Sequence, residues 1–135
     1  MKKRIFAVMM CICLLLSSMS LLAYARASYY LANYNIVVGD RGNGVVRVTA
    51  TVNATHPYMT QLGFPVVVLY EKVNGSWVAV RTNSGIYKYN SGSHGYQYDY
   101  QGVVGKEYMA YSSFAAQDTT GGDSRDANSN AVTLK

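Results

Sequence analysis

The chain has 135 residues, half of them hydrophobic, and twelve Lys or Arg against seven Asp or Glu give a formal charge of +5. That length allows one domain with a sizeable core. Three of the basic residues, Lys2, Lys3 and Arg4, precede an apolar stretch typical of a leader. Without them the formal charge falls to +2, and to +1 if Arg26 is also removed, so the charge gives no ground for expecting a nucleic-acid partner and we expect none.

The first 25 residues have the pattern of a secretory signal peptide. A basic start, Met1–Arg4, is followed by the apolar stretch Ile5–Leu22 and by small residues, Ala23 and Ala25, at the cleavage positions. We expect cleavage after Ala25, and Ala27 marks an alternative site after residue 27. An uncleaved anchor is the alternative, but the serines inside the apolar stretch favour cleavage. We therefore expect a secreted, extracellular protein that touches a membrane only through its signal peptide, before cleavage.

Both cysteines, Cys11 and Cys13, lie inside this predicted leader. The mature chain would then contain no thiol. This excludes disulfides, cysteine nucleophiles and thiolate metal sites from the exported protein.

The first half of the mature chain shows alternating strands and no sustained helical period. The first apolar stretch, Leu31–Val38, ends at the turn-rich segment Gly39–Gly44. Val46–Ala54 alternates apolar and polar residues, as a strand with one buried and one solvated face does. His56–Tyr58 interrupts this strand, and we expect residues 59–63 to form a short connection.

The middle of the chain predicts a hairpin. Phe64–Lys72 reads as a strand with both faces covered, because its centre is continuously apolar. Asn74-Gly75 favours a tight turn, since both residues tolerate positive φ. Folding the chain back at this turn gives an expected core face that carries Leu69, Val78 and Val80.

A second hairpin is predicted between residues 86–89 and 95–102, with residues 90–95 as its turn. It places five tyrosines on one face: Tyr87, Tyr89, Tyr96, Tyr98 and Tyr100. We expect this face to pack on a second sheet, because the opposite, polar face suits solvent. The alternative is an open aromatic strip for stacking sugars or a partner protein. For that case the candidate ligand contacts are Tyr89, Tyr96 and Tyr100, together with Trp77.

The last third completes an all-β domain. Glu107–Gln117 alternates again, Asp118–Ser129 is polar and Gly-rich and reads as a loop, and Ala131–Leu134 closes the fold. We therefore predict a single antiparallel β-sandwich of about seven strands over residues 28–135.

Two resemblances accompany this prediction. Gly105-Lys106-Glu107-Tyr108, followed by Phe114-Ala115-Ala116, resembles the last third of fibronectin type III and related Ig-like domains, although the second strand lacks their tryptophan. The resemblance implies an Ig-like sandwich in which Tyr108 forms a tyrosine corner, bonded to the backbone of the preceding turn. The segments 62–64, 71–77 and 122–125 resemble small secreted proteins of Gram-positive bacteria with no assigned function. Neither resemblance implies an activity.

No catalytic or metal-binding pattern appears in the mature chain. Its only histidines, His56 and His94, lie in predicted turns, and no serine has the G-x-S-x-G surroundings of a nucleophile. Asp118, Asp123 and Asp126 do not have the spacing of a calcium loop. We expect no enzymatic activity, no cofactor and no metal.

Three functions stay open from the sequence. The first is a secreted, non-enzymatic binding module whose ligand is a glycan, a cell-wall polymer or a protein. The second is a structural or self-assembling extracellular protein, because Val-rich strands and a low charge favour edge-to-edge association. The third, supported only by small size, is a secreted inhibitor or toxin-like antagonist.

Overall fold

The computed structural model describes residues 28–135, so the predicted signal peptide and its cleavage sites lie outside the described residues. Within this range every regular element is a β-strand, and no helix is long and apolar enough to cross a membrane. The strands are β1 (Leu31–Asp40), β2 (Val45–Ala54), β3 (Met59–Val73), β4 (Ser76–Ser91), β5 (Ser93–Gln101), β6 (Glu107–Gln117), β7 (Gly122–Asn128) and β8 (Val132–Thr133).

The strands form two antiparallel sheets, which confirms the predicted all-β class. Sheet A has the order β1-β2-β5, and sheet B has the order β4-β3-β6-β7, with β8 paired to β6. The core lies between the sheets and draws on alternate residues of their central strands, as in other β-sandwiches. Its main contributors are Val46, Val48, Ala50 and Val52 of β2, Leu62, Phe64, Val67 and Leu69 of β3, and Tyr108, Ala110, Phe114 and Ala116 of β6. The alternation predicted for β2 and β6 is therefore confirmed.

The predicted hairpin at Asn74-Gly75 joins β3 to β4. Asn74 has a φ of 50° and Gly75 a φ of 80°, so both occupy the left-handed region that a two-residue turn requires. Lys72 then pairs with Trp77, as the sequence predicts.

Further along the same hairpin the predicted register is wrong. A bulge between Leu69 and Tyr70 shifts the pairing, so that Leu69 lies opposite Arg81. Val80, expected in the core, is half-buried against it. Val78 lies on the turn side of the bulge and pairs with Glu71 as predicted, but it is 47% exposed on the edge strand instead of lying in the core. An extra residue in one strand moves the side chains beyond it to the opposite face of the sheet, and no pattern in the composition predicts its position.

The predicted connection over residues 59–63 is also wrong, because β3 begins at Met59. A second bulge, against β6, lies between Gly63 and Val66 and contains Pro65. Proline has no N–H for a central ladder, so the bulge is what allows it there. Gly63 is required next to it, because a Cβ would overlap the carbonyl oxygen of Ile86 on β4.

The second predicted hairpin does not form. β4 pairs with β3 and β5 pairs with β2, so the chain crosses from one sheet to the other near Gly92. A side chain there would place a Cβ 2.8 Å from Pro57 Cα and 2.9 Å from the His56 carbonyl oxygen. The Gly92 carbonyl accepts a 2.8 Å hydrogen bond from the Ala54 N–H, which fixes the crossing to the end of β2.

The five tyrosines therefore do not share one face. Ile86 lies opposite the buried Phe64, so its neighbours Tyr87 and Tyr89 project from the outer face of sheet B. The three tyrosines of β5 face inward and pack, half-buried, against the core.

The polar segment predicted as a loop contains strand β7, which pairs with β6. Its sequence, Gly122–Asn128, has little apolar character because β7 lies at an edge of sheet B. Charged residues on an edge strand discourage pairing with another chain. Such a strand gives a weak hydrophobic pattern, and this explains why the sequence does not reveal it.

Candidate functional site

The outer face of sheet A is polar and largely paired within itself. Arg47 Nε donates to Asp99 Oδ1 over 2.7 Å, and the Thr49 hydroxyl donates to the Gln97 side-chain oxygen over 3.1 Å. Arg47 lowers the pKa of the Asp99 carboxyl, because its guanidinium donates to the ionised form. This face presents a solvated surface of satisfied polar groups.

Two of the candidate ligand contacts lie on the outer face of sheet B. Tyr89 is 63% exposed. Trp77 is half-buried, and Lys72 Nζ lies 5.5 Å from the centre of a Trp77 ring while also reaching Glu107 Oε1 over 3.3 Å. Tyr89 thus offers an accessible ring, whereas Trp77 is partly occupied by contacts within the protein.

The other two candidates point the opposite way. The Tyr96 ring lies 5.6 Å from Tyr98 and 6.4 Å from Phe64, and the Tyr100 ring lies 6.4 Å from Tyr108. Both side chains are half-buried between the sheets. The structure therefore does not bring the four candidate contacts together.

Tyr108 is fully buried, and its hydroxyl connects three segments. The Val103 N–H donates to Tyr108 Oη over 2.9 Å, and Tyr108 Oη donates to Glu71 Oε2 over 2.7 Å. Burial and the bond to Glu71 raise the pKa of Tyr108 to about 12. The hydroxyl thus ties the β5–β6 connection to β3.

A different aromatic group occupies one end of the sandwich, which we call the Tyr58 end. It is formed by residues 29–30, 56–58, 90–93 and 118–121. The Thr55 N–H donates to the Tyr30 carbonyl over 3.0 Å, and the Thr55 hydroxyl donates to the Tyr29 carbonyl. These bonds hold Tyr29 beside His56, with 5.4 Å between the ring centres. Tyr29 nevertheless stays 69% exposed.

The opposite wall of the Tyr58 end is the loop that begins at Asp118. Asp118 Oδ1 accepts from the Thr120 N–H and hydroxyl, both over 2.6 Å, and from the Gly121 N–H over 3.0 Å. The pKa of Asp118 is lowered by the Thr120 hydroxyl first, then by the backbone donors, with a contribution from His56. Asp118 Oδ2 makes no hydrogen bond within residues 28–135, so an ionised oxygen is left for a ligand.

Two open clefts flank Tyr58, which is 79% exposed. The larger has a volume of about 630 Å³ and is lined by residues 54–58 and 90–93. The smaller, which we call the Tyr29–Tyr58 cleft, has a volume of about 460 Å³ and is lined by Tyr29, His56, Pro57, Tyr58, Thr60, Asp118, Thr119 and Thr120. Volumes of this size are typical of sites for small ligands.

The Tyr29–Tyr58 cleft combines aromatic rings with hydroxyl, carboxylate and imidazole groups. Within residues 28–135 no group of three or more His, Cys, Asp or Glu side chains is arranged to hold a metal ion. The sequence analysis does not single out Tyr29 and Tyr58 because both lie in irregular segments, where strand alternation gives no information. The sequence offers only a general indication of such a site, because loops on a rigid scaffold often carry binding residues.

Comparisons with protein-family models, curated proteins and solved structures found no match to this chain.

Proposed function

We propose that the protein is a secreted, non-enzymatic binding module that holds a glycan, or the glycan part of a cell-wall polymer, in the Tyr29–Tyr58 cleft. One observation carries this proposal. Tyr58 and Tyr29 are the most exposed large hydrophobic side chains of residues 28–135, at 79% and 69%, and they lie in a cleft whose remaining lining is mostly polar.

The chemistry of a sugar ring fits this lining. A pyranose has an apolar C–H face and a rim of hydroxyl groups, so it packs on an aromatic ring while its rim forms hydrogen bonds. Tyrosine suits this task because it has an apolar body and a polar tip. Asp118 Oδ2 would accept from a sugar hydroxyl, and charge-assisted bonds of this kind are stronger than neutral ones. The predicted signal peptide would export the protein to where such polymers occur.

The assignment to the Ig-like or fibronectin type III-like group is part of the same proposal. It is supported by the bond from the Val103 N–H to Tyr108 Oη, which is the contact that the resemblance implies. In the domains that the chain resembles, this tyrosine lies on the penultimate strand, whereas here two strands, β7 and β8, follow the strand that carries Tyr108.

The proposal is tested by binding of the purified protein to a glycan array and to isolated cell walls, followed by titration with the best ligand. We expect Tyr58→Ala and Tyr29→Ala each to weaken binding roughly tenfold, as loss of about 1.4 kcal/mol of ring contact does. Tyr89→Ala is the matched control, because it removes another exposed tyrosine from a different surface.

Two results would contradict the proposal. Binding that survives Tyr58→Ala but fails in Tyr89→Ala moves the site to the outer face of sheet B. Absence of binding to any glycan or wall preparation by the folded protein removes the function itself.

A second candidate function, self-assembly, is favoured by one observation. Strand β4 has 16 residues and forms an edge of sheet B, so its outward N–H and C=O groups are open to pairing with another chain. Sedimentation over a wide concentration range tests this candidate. A monomer at every concentration excludes it.

A further inference from the structure

The edge strands of the two sheets, β4 and β5, face each other along one side of the sandwich, and we call the space between them the β4–β5 seam. Arg81, Asn83 and Lys88 lie opposite the buried residues Leu69, Val67 and Leu62 of β3, so they project to the inner side of the sheet. Strand β5 contributes its own inward-facing residues. The seam is therefore lined by Arg81, Asn83, Ile86, Lys88, His94, Tyr96 and Tyr98.

One part of the seam contains Arg81, Asn83 and Tyr98. The Arg81 guanidinium carbon lies 4.4 Å from the centre of the Tyr98 ring. Asn83 Nδ2 and Tyr98 Oη are buried, and neither has a hydrogen-bond partner in the described part of the chain. The two side chains are neighbours, close enough for Asn83 to favour the ionised phenol, but they do not meet with hydrogen-bonding geometry. Two buried polar atoms without partners and a cation thus converge in this part of the seam.

The other part of the seam contains Lys88 and His94. His94 Nε2 is buried and has no hydrogen-bond partner among residues 28–135. The imidazole lies 5.3 Å from the Phe64 ring. Burial lowers the pKa of His94, and the nearby Lys88 ammonium lowers it further. Lys88, which lies opposite the buried Leu62, and His94, which lies beside Phe64, thus place a cation and an unpartnered nitrogen on the inner faces of the two sheets.

The cations of the seam differ from the other cations of residues 28–135, each of which interacts with a carboxylate. Arg41 lies in the field of Asp99, and Lys135 lies in the field of Asp40. The remaining four form ion pairs: Arg47, Lys72, Lys106 and Arg125. Arg81 and Lys88 form no ion pair with any residue of the described range 28–135. They lie on the same side of one strand, with the three unpartnered polar atoms beside them.

We propose that the β4–β5 seam binds anionic groups, carboxylate or phosphate, at two positions: one at Arg81, Asn83 and Tyr98, the other at Lys88 and His94. Buried polar groups without partners are unfavourable, and an anion accepts from the amide, the phenol and the guanidinium together. Arg81 and Lys88 are exposed, so they can move to admit a ligand to the atoms beneath them.

The distance between the two positions indicates how far apart the anionic groups of a ligand must be to occupy both. Tyr98 follows His94 by four positions along β5, which corresponds to about 13 Å along a strand. A molecule with two anionic groups at about that separation, or with more closely repeated ones, would occupy both positions. The seam does not include the Tyr29–Tyr58 cleft, and the inference stands whether or not the protein binds a glycan there.

The test is an NMR titration of the isotope-labelled protein with inorganic phosphate and, separately, with acetate, at constant ionic strength maintained with chloride. We expect saturable shifts of the Asn83 side-chain amide and of the Arg81 Nε–H. Arg81→Gln should abolish the shifts at that position, and Lys88→Gln those of His94. Arg47→Gln, a matched change on the outer face of sheet A, should leave both intact. Comparison of phosphate with acetate tells which anionic group is preferred.

A second readout is the His94 pKa, followed through its imidazole resonances with and without phosphate. A bound anion should raise it, because it stabilises the imidazolium against Lys88. Thermal melts in chloride establish that each variant is folded. Three results would each overturn the proposal. The shifts do not saturate, they persist in Arg81→Gln and Lys88→Gln, or the His94 pKa is the same with and without phosphate.

Discussion

Tyr108 provides a quantitative test of the fold. Tyr108→Phe removes one hydroxyl from a fully buried side chain and leaves the ring in place. The bond to the Glu71 carboxylate is worth about 1.5–3 kcal/mol, and the bond from the Val103 N–H about 0.5–1.5 kcal/mol. Val103 is exposed, so water replaces part of the second bond. We therefore expect the free energy of unfolding to fall by about 2–3 kcal/mol.

Tyr98→Phe is the matched control, because it makes the same chemical change in the same core. The Tyr98 hydroxyl is buried and has no hydrogen-bond partner within the residues that the structure describes. Removing it relieves a desolvation penalty, so we expect stability to stay constant or to rise by up to about 1 kcal/mol. The contact of Arg81 with the ring persists in the variant, because phenylalanine keeps the π face.

Urea unfolding, followed by tryptophan fluorescence and circular dichroism in a chloride buffer without other added anions, measures both variants. A loss of about 2–3 kcal/mol corresponds to a melting temperature lower by roughly 8–12 °C for a domain of this size. Equal losses in the two variants would refute the reasoning, because they would show that the hydrogen bonds of the two hydroxyls do not differ. So would a Tyr108→Phe variant as stable as the parent.

Two further predictions concern pH and backbone contacts. Burial raises the pKa of Tyr98 and of Tyr108 from 10.0 to about 12, with Glu71 adding to the shift of Tyr108, so the folded state favours both neutral phenols. The contribution of these two phenols to stability should thus be constant below pH 10 and be lost as the pH rises towards 12, which urea midpoints at stepped pH will check. Gly63→Ala should cost about 3 kcal/mol or more, because its Cβ overlaps the β4 backbone. Gly95→Ala, whose Cβ would find its nearest neighbour at 4.0 Å, should be neutral or slightly stabilising in the same melts.

The sequence predicted those parts of the fold whose signal is local. The alternation of β2 and β6 needs only their own residues, and Asn74-Gly75 determines a turn within a few positions. The two bulges, one in β4 against β3 and one in β3 against β6, could not be predicted in this way. Each adds a residue to one strand, and its position depends on how Leu69 or Pro65 meets the neighbouring strand.

The pairing of the strands was predicted less well than the strands themselves, and the observed pairing changes the interpretation of the tyrosines. Alternation shows which residues of one strand share a face, but it does not name the neighbouring strand. Tyr89 and Tyr96 are close in sequence, yet the crossing at Gly92 puts them in different sheets. The phase of β4 is set by Phe64, which directs Ile86 inward and Tyr87 outward.

The candidate site was missed for a related reason. Tyr29 and Tyr58 become neighbours of Asp118 only when three irregular segments meet at one end of the sandwich. No spacing in the chain relates these segments. The proline before Tyr58 marks the end of a strand, but it carries no information on what lies opposite.

Arg81 and Lys88 also bear on whether β4 pairs with other chains. Inward-pointing charges on an edge strand hinder edge-to-edge association, so these side chains oppose the self-assembly that the length of β4 favours. Edge protection and anion binding require different properties of the side chain at position 81. Edge protection needs only a positive charge, whereas the position beside Asn83 and Tyr98 benefits from the planar, forked guanidinium.

Arg81→Lys separates these two roles, because it keeps the charge and removes the fork. We expect the variant to sediment as the parent protein does and to bind phosphate at the Asn83 position roughly tenfold more weakly, equivalent to about 1.4 kcal/mol. Arg81→Gln should lose phosphate binding and, if the charge protects the edge, should associate more strongly at high concentration. Unchanged phosphate affinity in Arg81→Lys would mean that charge alone accounts for the first position. Unchanged sedimentation of Arg81→Gln would mean that β4 is protected by other means, such as the strong local twist that bulges introduce.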